Sequence, residues 1–185
     1  VKMGRRRTID RDKVLDAAEA VVNSVGAAGL TIDAVAKASG ITKGGVQYCF
    51  GNKDGLIDAM MQRWFDEFDT AVAAEGGDDP DPIKAMRAHA SVTARMNTAD
   101  NARTSGMMAA LLQREEHMAK NRAWYRTRLD GLDLSTEEGR RARMVFLATE
   151  GVFLLRGFGF LEMDDAEWQD MFADILKLLP ERDRA

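Results

Sequence analysis

Apolar residues recur along this chain at helical rather than strand spacing. Val14, Ala18, Val21, Val22 and Val25 lie three or four residues apart, so they share one face of a helix predicted over 11–25. Ile32, Val35 and Ala36 do the same in a helix over 32–39, and Val46 and Phe50 in one over 43–50. Between 53 and 74 the pattern broadens. Leu56, Ile57, Met60, Met61, Trp64, Phe65 and Phe68 are too many for one narrow stripe, so this helix is expected to touch two bodies. Further helices are predicted over 82–96, 103–113, 114–129, 137–161 and 165–179. Long alternating valine-rich runs are absent and prolines number three, so the expected fold is all-α, of about nine helices.

The breaks between these segments are chemically marked. Gly26 and Gly29 close the first helix, Gly40 supplies a turn, and Thr42 and Asn52 stand where they can cap the third and fourth. The clearest break is EGGDDPD at 75–81, after which Pro82 suits a first helical turn. Residues 97–101 and 131–135 are further polar breaks, with Ser135 or Thr136 able to cap the next helix. No internal repeat is present.

Composition narrows the class. At 185 residues, with 45% apolar and 30% charged residues, the chain is globular and holds one or two small helical domains. One cysteine, Cys49, excludes an intrachain disulfide and suits a cytoplasmic protein. The basic start lacks the apolar segment of a signal peptide, and the apolar run 144–160 is too short and too charged for a membrane span. The net charge of −4 hides an uneven distribution. Residues 1–53 carry nine bases against five acids, whereas the rest carries 17 bases against 25 acids. A basic head at 1–53, with a basic arm at 1–8, on an acidic body at 54–185 suits a DNA-reading head on a body that reads something else.

The run TIDAVAKASGITKGGVQYCFGNKDGL, residues 31–56, reads as two short helices joined by a tight turn, followed by a third helix start. That is the helix-turn-helix unit, whose second helix enters the DNA major groove. Thr31, Ile32, Val35, Ala36, Ala38 and Gly40, then Ile41, Thr42, Lys43, Gly44, Val46, Phe50, Asn52, Lys53, Asp54 and Leu56, resemble in type and spacing the DNA-binding domain of the TetR (tetracycline-repressor) family. The resemblance covers about a quarter of the chain. It implies an all-α homodimer in which the last two long helices pair with their copies, and a ligand site inside the body that controls the spacing of the two heads. Gln47, Tyr48 and Cys49 depart from the family's usual aromatic and histidine residues there, which bears on the operator sequence.

DNA contacts are expected from Thr31, Thr42, Lys43, Gly44, Gly45, Gln47, Tyr48 and Lys53. The helix N-terminus at Thr42 offers free N–H groups to phosphate, the paired glycines allow close approach, and Lys53 resembles the family's phosphate-contacting lysine. Arg5, Arg6 and Arg7 suit either a minor-groove arm or a solubilising tail. Cys49 fits a small core residue better than a redox sensor.

In the body, Met61, Trp64, Phe68, Met86 and Met107 are candidate effector contacts, with plain core as the bland alternative. Met108, Trp124, Phe146, Glu150 and Phe153 complete that set. Glu150, inside VFLATEGVFLLRGFGF, needs a partner: an arginine of this chain or of a dimer mate, or a cationic ligand. His89 and His117 have no Cys or acid at metal-ligand spacing and read as structural or solvated. Gly151, Gly157 and Gly159 suit a tight dimer bundle or a kink.

The expected function is a ligand-responsive DNA-binding regulator, most simply a repressor released from a palindromic operator by an apolar small molecule, for which a cationic group is an option. No cofactor or metal is implied, and no nucleophile motif or phosphate loop supports an enzyme. A helical interaction protein without DNA specificity is the rival reading, and activation remains open beside repression.

Overall fold

The computed structural model describes residues 9–76, 81–111 and 115–180. The basic arm, with Arg5, Arg6 and Arg7, and most of the EGGDDPD loop lie outside the described residues. Within them the chain forms nine α-helices and one 3-10 turn, and no strand. The order is α1 (Arg11–Val25), the 3-10 turn (Ala27–Gly29), α2 (Ile32–Ser39), α3 (Lys43–Phe50) and α4 (Lys53–Gly76). Then come α5 (Pro82–Ala94), α6 (Thr98–Leu111), α7 (Glu115–Asp130), α8 (Glu137–Gly157) and α9 (Asp165–Lys177).

Side-chain oxygens cap most of these helices. Asp10, Thr31, Thr42, Asp81, Thr136 and Asp164 each accept a backbone N–H from the first turn of the helix they precede. Gly40 ends α2 at φ 69°, the left-handed conformation that lets the chain reverse within three residues before α3. Asn52 Oδ1 accepts the Gly55 amide at 2.9 Å, starting α4 with only Gly51 and Asn52 between it and α3. This junction requires Gly55, because a Cβ there would stand 2.2 Å from the Phe50 carbonyl oxygen.

One continuous hydrophobic cluster runs from Val14 in α1 through α4 to Leu179 beyond α9, so the packing does not break at residue 53. The broad apolar surface of α4 explains this, since it packs on α1, α3, α5 and α6 together. A charged cluster crosses the same junction. The buried Glu19 carboxylate of α1 binds Arg63 of α4, and it meets Arg103 Nε of α6 at 2.6 Å. Arg103 also reaches Glu67, and Arg63 reaches Asp16 at 2.8 Å.

Packing corrects two sequence expectations and divides a third. Val25 is 61% exposed, because α1 ends at that residue and turns away at Gly26. The polar break at 97–101 lies mostly inside α6, where Asn97 Oδ1 accepts the Asp100 amide and opens the helix. The three glycines near the end of α8 have separate reasons. Gly157 lets α6 approach, since a Cβ there would stand 2.0 Å from Ser105 Oγ, and Gly159 lies past the helix in a turn at φ 68°. Gly151 faces open space, with no other described element within 4 Å of where a Cβ would stand.

Candidate nucleic-acid interface and effector cleft

The first site is the outer face of α3. Val46 and Phe50 point into the core, and Cys49 is half-buried against it. The opposite face carries Lys43, Gly44, Gln47 and Tyr48, all exposed, with Tyr48 at 88%. Helical geometry puts these four residues on one continuous surface. Thr42 is exposed at the N-terminus of α3, where its hydroxyl accepts the Gly45 amide at 3.1 Å. Thr31 does the same for α2, accepting the Ala34 amide at 3.0 Å. Lys53 is half-buried at the first turn of α4, beside the C-terminus of α3.

Two of these residues have local duties as well. Lys43 Nζ lies 2.9 Å from Asp33 Oδ2 of α2, in an exposed pair that contributes little to stability. Gly45 is half-buried, and a Cβ there would stand 3.1 Å from Ile9 Cδ1. Its small size serves the packing of the segment before α1, whereas Gly44 is open to solvent.

Arg11 joins this site without a signal in the local sequence. Its guanidinium donates to the Cys49 carbonyl oxygen and sits 4.6 Å from the centroid of the Phe50 ring, holding the C-terminal end of α3. No neighbouring residue separates it from the other N-terminal arginines, because the contact spans 38 residues.

In the body, Trp64, Phe65 and Phe68 of α4 all meet Trp124 of α7, Phe65 stacked on it, Trp64 tilted and Phe68 edge-on, and Phe146 of α8 joins them through His89. Glu150 of α8 reaches this cluster. Its Oε1 lies 2.7 Å from His89 Nε2 and its Oε2 accepts the Tyr125 hydroxyl at 2.8 Å. Burial first, and the Glu150 charge second, push the Tyr125 phenol well above its ordinary pKa, so it remains a donor. Within this chain, a histidine and a tyrosine stand where an arginine was one expected partner of Glu150. Arg128 contributes only a longer-range attraction, being hydrogen-bonded to Asp69 and stacked 4.0 Å from the Trp124 ring centroid.

The remaining candidates scatter. Met61 and Met107 meet under the head with Val22, Leu30 and Ile57 around a void of only about 10 Å³. Met108 and Phe153 are core residues. Met86 alone of the sequence-predicted effector residues lines an open cleft of about 380 Å³ between α4, α5 and α7. Its other walls include Asp69, Val72, Ala85, His89 and Arg128. A larger and more open depression of about 710 Å³ lies between α1 and α4, walled mainly by charged side chains. His117 is the second buried histidine. Its Nδ1 lies 2.8 Å from Asp58 Oδ1 of α4, and Lys120 binds the other Asp58 oxygen.

No helix among the described residues is long and apolar enough to cross a membrane. Nor do the described residues gather three or more His, Cys, Asp or Glu side chains suited to a metal ion.

A short helix presented outward by a three-residue turn on a helical bundle has the arrangement of a helix-turn-helix unit. Comparison with known proteins agrees. The model of the bacterial regulatory proteins of the tetR family matches residues 14–60, and the tetracyclin repressor-like C-terminal domain matches residues 83–180. The chain belongs to the TetR family of transcriptional regulators. A regulator, not an enzyme, is what that family defines.

The chain is 35% identical over 82 residues to the HTH-type transcriptional regulator BetI of Stenotrophomonas maltophilia (strain R551-3). The match covers 42% of this chain and 42% of BetI, so the chain spans about two-fifths of that relative's length. A transcriptional regulator from Rhodococcus sp. Rha1 shares the fold at a TM-score of 0.71 and 20% identity, over 92% of this chain and 96% of that one. The multidrug binding protein EbrR complexed with malachite green does so at 0.67 and 21%, over 92% and 98%.

Proposed function

We propose that this chain is a homodimeric repressor that releases a palindromic operator when a small molecule enters its body. The observation that carries the reading is the division of α3 into a buried face, Val46 and Phe50, and an exposed face, Lys43, Gln47 and Tyr48. Thr31, Thr42, Lys43 and Lys53 position the head on phosphates. Gln47 reads base edges, for which an amide suits adenine, and Tyr48 adds a phosphate contact. Gly44 keeps the start of α3 slim enough to approach the groove, and Gly45 lets that start seat against Ile9. In this reading residues 1–53 are the head, residues 54–185 the body, and the protein works in the cytoplasm, where bacterial chromosomal DNA is.

The dimer is proposed to form through α8 and α9. Met144, Leu147 and Leu155 are 55%, 51% and 41% exposed and share one face of α8 with Gly151, whose missing Cβ leaves room for a second helix. Leu178, just past α9, is also exposed. Two-fold pairing there sets two heads for half-sites about one DNA turn, roughly 34 Å, apart. A ligand that favours another head spacing would weaken DNA binding by its differential affinity for the two dimer forms. The shared fold with EbrR, which binds malachite green, supports a small organic effector.

Selection of bound sequences from a random duplex pool, using purified protein at moderate salt, tests the reading. Enrichment of an inverted repeat is expected. Weak salt-sensitive binding without enrichment would overturn it in favour of an interaction protein that lacks DNA specificity.

A further inference from the structure

Among the walls of the cleft between α4, α5 and α7, His89 is the unusual member. It is 1% exposed, and its Nε2 is committed to Glu150. Its Nδ1 is buried and has no hydrogen-bond partner among the described residues. A buried polar atom without a partner is costly, so Nδ1 calls for one. The network sets what kind of partner the atom needs. Both Glu150 oxygens serve as acceptors, one for the Tyr125 hydroxyl and one for His89 Nε2. Nε2 therefore donates to Glu150, and a ring carrying that one proton offers Nδ1 as a lone-pair acceptor.

The charges around the cleft point the same way. Asp69 and Arg128 line it, but they satisfy each other. Glu150 lies behind His89 with no cationic side chain of the described residues in hydrogen-bond contact, which leaves one negative charge near the orphan nitrogen. Val72, Ala73, Pro82, Ala85 and Met86 provide an apolar wall. About 380 Å³ falls within the usual range for small-ligand sites.

We propose that this cleft binds an organic amine: an apolar body bearing a protonated nitrogen whose N–H is received by His89 Nδ1. The inference rests on the effector-responsive reading above and names the effector's chemical class. It separates amines from quaternary ammonium ions, which carry the same charge without a donor, and from carboxylates, which would meet Glu150 as a like charge.

Three probes with one aromatic body make the test: 4-phenylbutylamine, its trimethylammonium counterpart, and 4-phenylbutyrate. Each is titrated calorimetrically into the full chain without DNA. The amine is expected to bind at least about tenfold more tightly than the other two. His89→Phe should erase the preference for the amine. Ala85→Trp, at an exposed wall position that leaves the core alone, should weaken the amine at least about tenfold with an unchanged melting temperature. Equal affinity for the quaternary ion, tighter binding of the carboxylate, no binding of any probe, or amine affinity that survives Ala85→Trp would each overturn the proposal. Because DNA is absent, these outcomes are independent of operator selection. A chain that selects an operator but shows no preference for the amine fails only here, and one that binds the amine but selects no operator fails only as a regulator.

Discussion

The polar groups of α3 and those around Glu150 meet opposite conditions. Lys43, Gln47 and Tyr48 stand in water on a short helix, where Lys43 forms a surface ion pair with Asp33. Glu150, His89 and Tyr125 sit among aromatic rings, each held by another member of the trio. A surface reader can change its side chains without disturbing the fold, because solvent already satisfies them. A buried network cannot, because each group removed leaves another without its partner. The head should therefore separate function from stability, and the body should mix them.

The largest effect is expected in the body. Trp64 is 8% exposed, stacked with Phe68 and in contact with Phe65 and Trp124. Trp64→Ala should cost about 3–5 kcal/mol in denaturant unfolding. Unchanged stability with lost effector binding would return Trp64 to a pocket role and weaken the contrast. Next comes the junction. Glu19→Gln leaves Arg63 and Arg103 without their shared carboxylate. Partial solvent access to both arginines should hold the loss to about 2 kcal/mol. If the head melts separately from the body in this variant, the carboxylate is what couples them.

In the head, Lys53→Ala should weaken every duplex by about 1 kcal/mol and lower the salt slope of binding by about one, while stability changes by less than about 0.5 kcal/mol. Gln47→Ala should instead reorder the preferred sites, and an unchanged ranking would remove Gln47 from base reading.

The smallest effect concerns pH. Burial alone would raise the Asp58 carboxyl, but hydrogen bonds from Lys120 and His117 outweigh it and hold the pKa below its ordinary value. A carboxylate with a lowered folded pKa adds stability above the ordinary range, near pH 4, and loses it as pH falls through the folded value. Asp58→Asn should therefore flatten the acid limb of a melting-temperature profile. An unaltered limb below pH 4 would show that the α4–α7 link carries no acid sensitivity.

The helix-turn-helix was legible because its signals are local. A glycine at the turn, threonine caps and alternating faces act within a few residues, and so the predicted bounds of α1, α2 and α3 agree with those observed. Helix ends in the body were less legible, since they depend on what packs against them. Asn97 opening α6 inside a polar run is one case. His89 left a faint trace, a lone histidine three residues after Met86 on the inward face of α5. Its partner lies 61 positions away, and no periodicity reports such a pairing.

By itself the sequence determined an all-α chain, the order of its helices, the reading head and the family, because caps, turns and amphipathic faces are short-range physics. Tertiary structure decided which buried residues meet. It made Met61 and Met107 plain packing, gave Glu150 a histidine and a tyrosine, left Met86 and His89 to line the cleft, and joined head to body through Glu19. An apolar position on a helix says that a side chain is buried. Only the arrangement of the helices says against what, and whether space remains beside it.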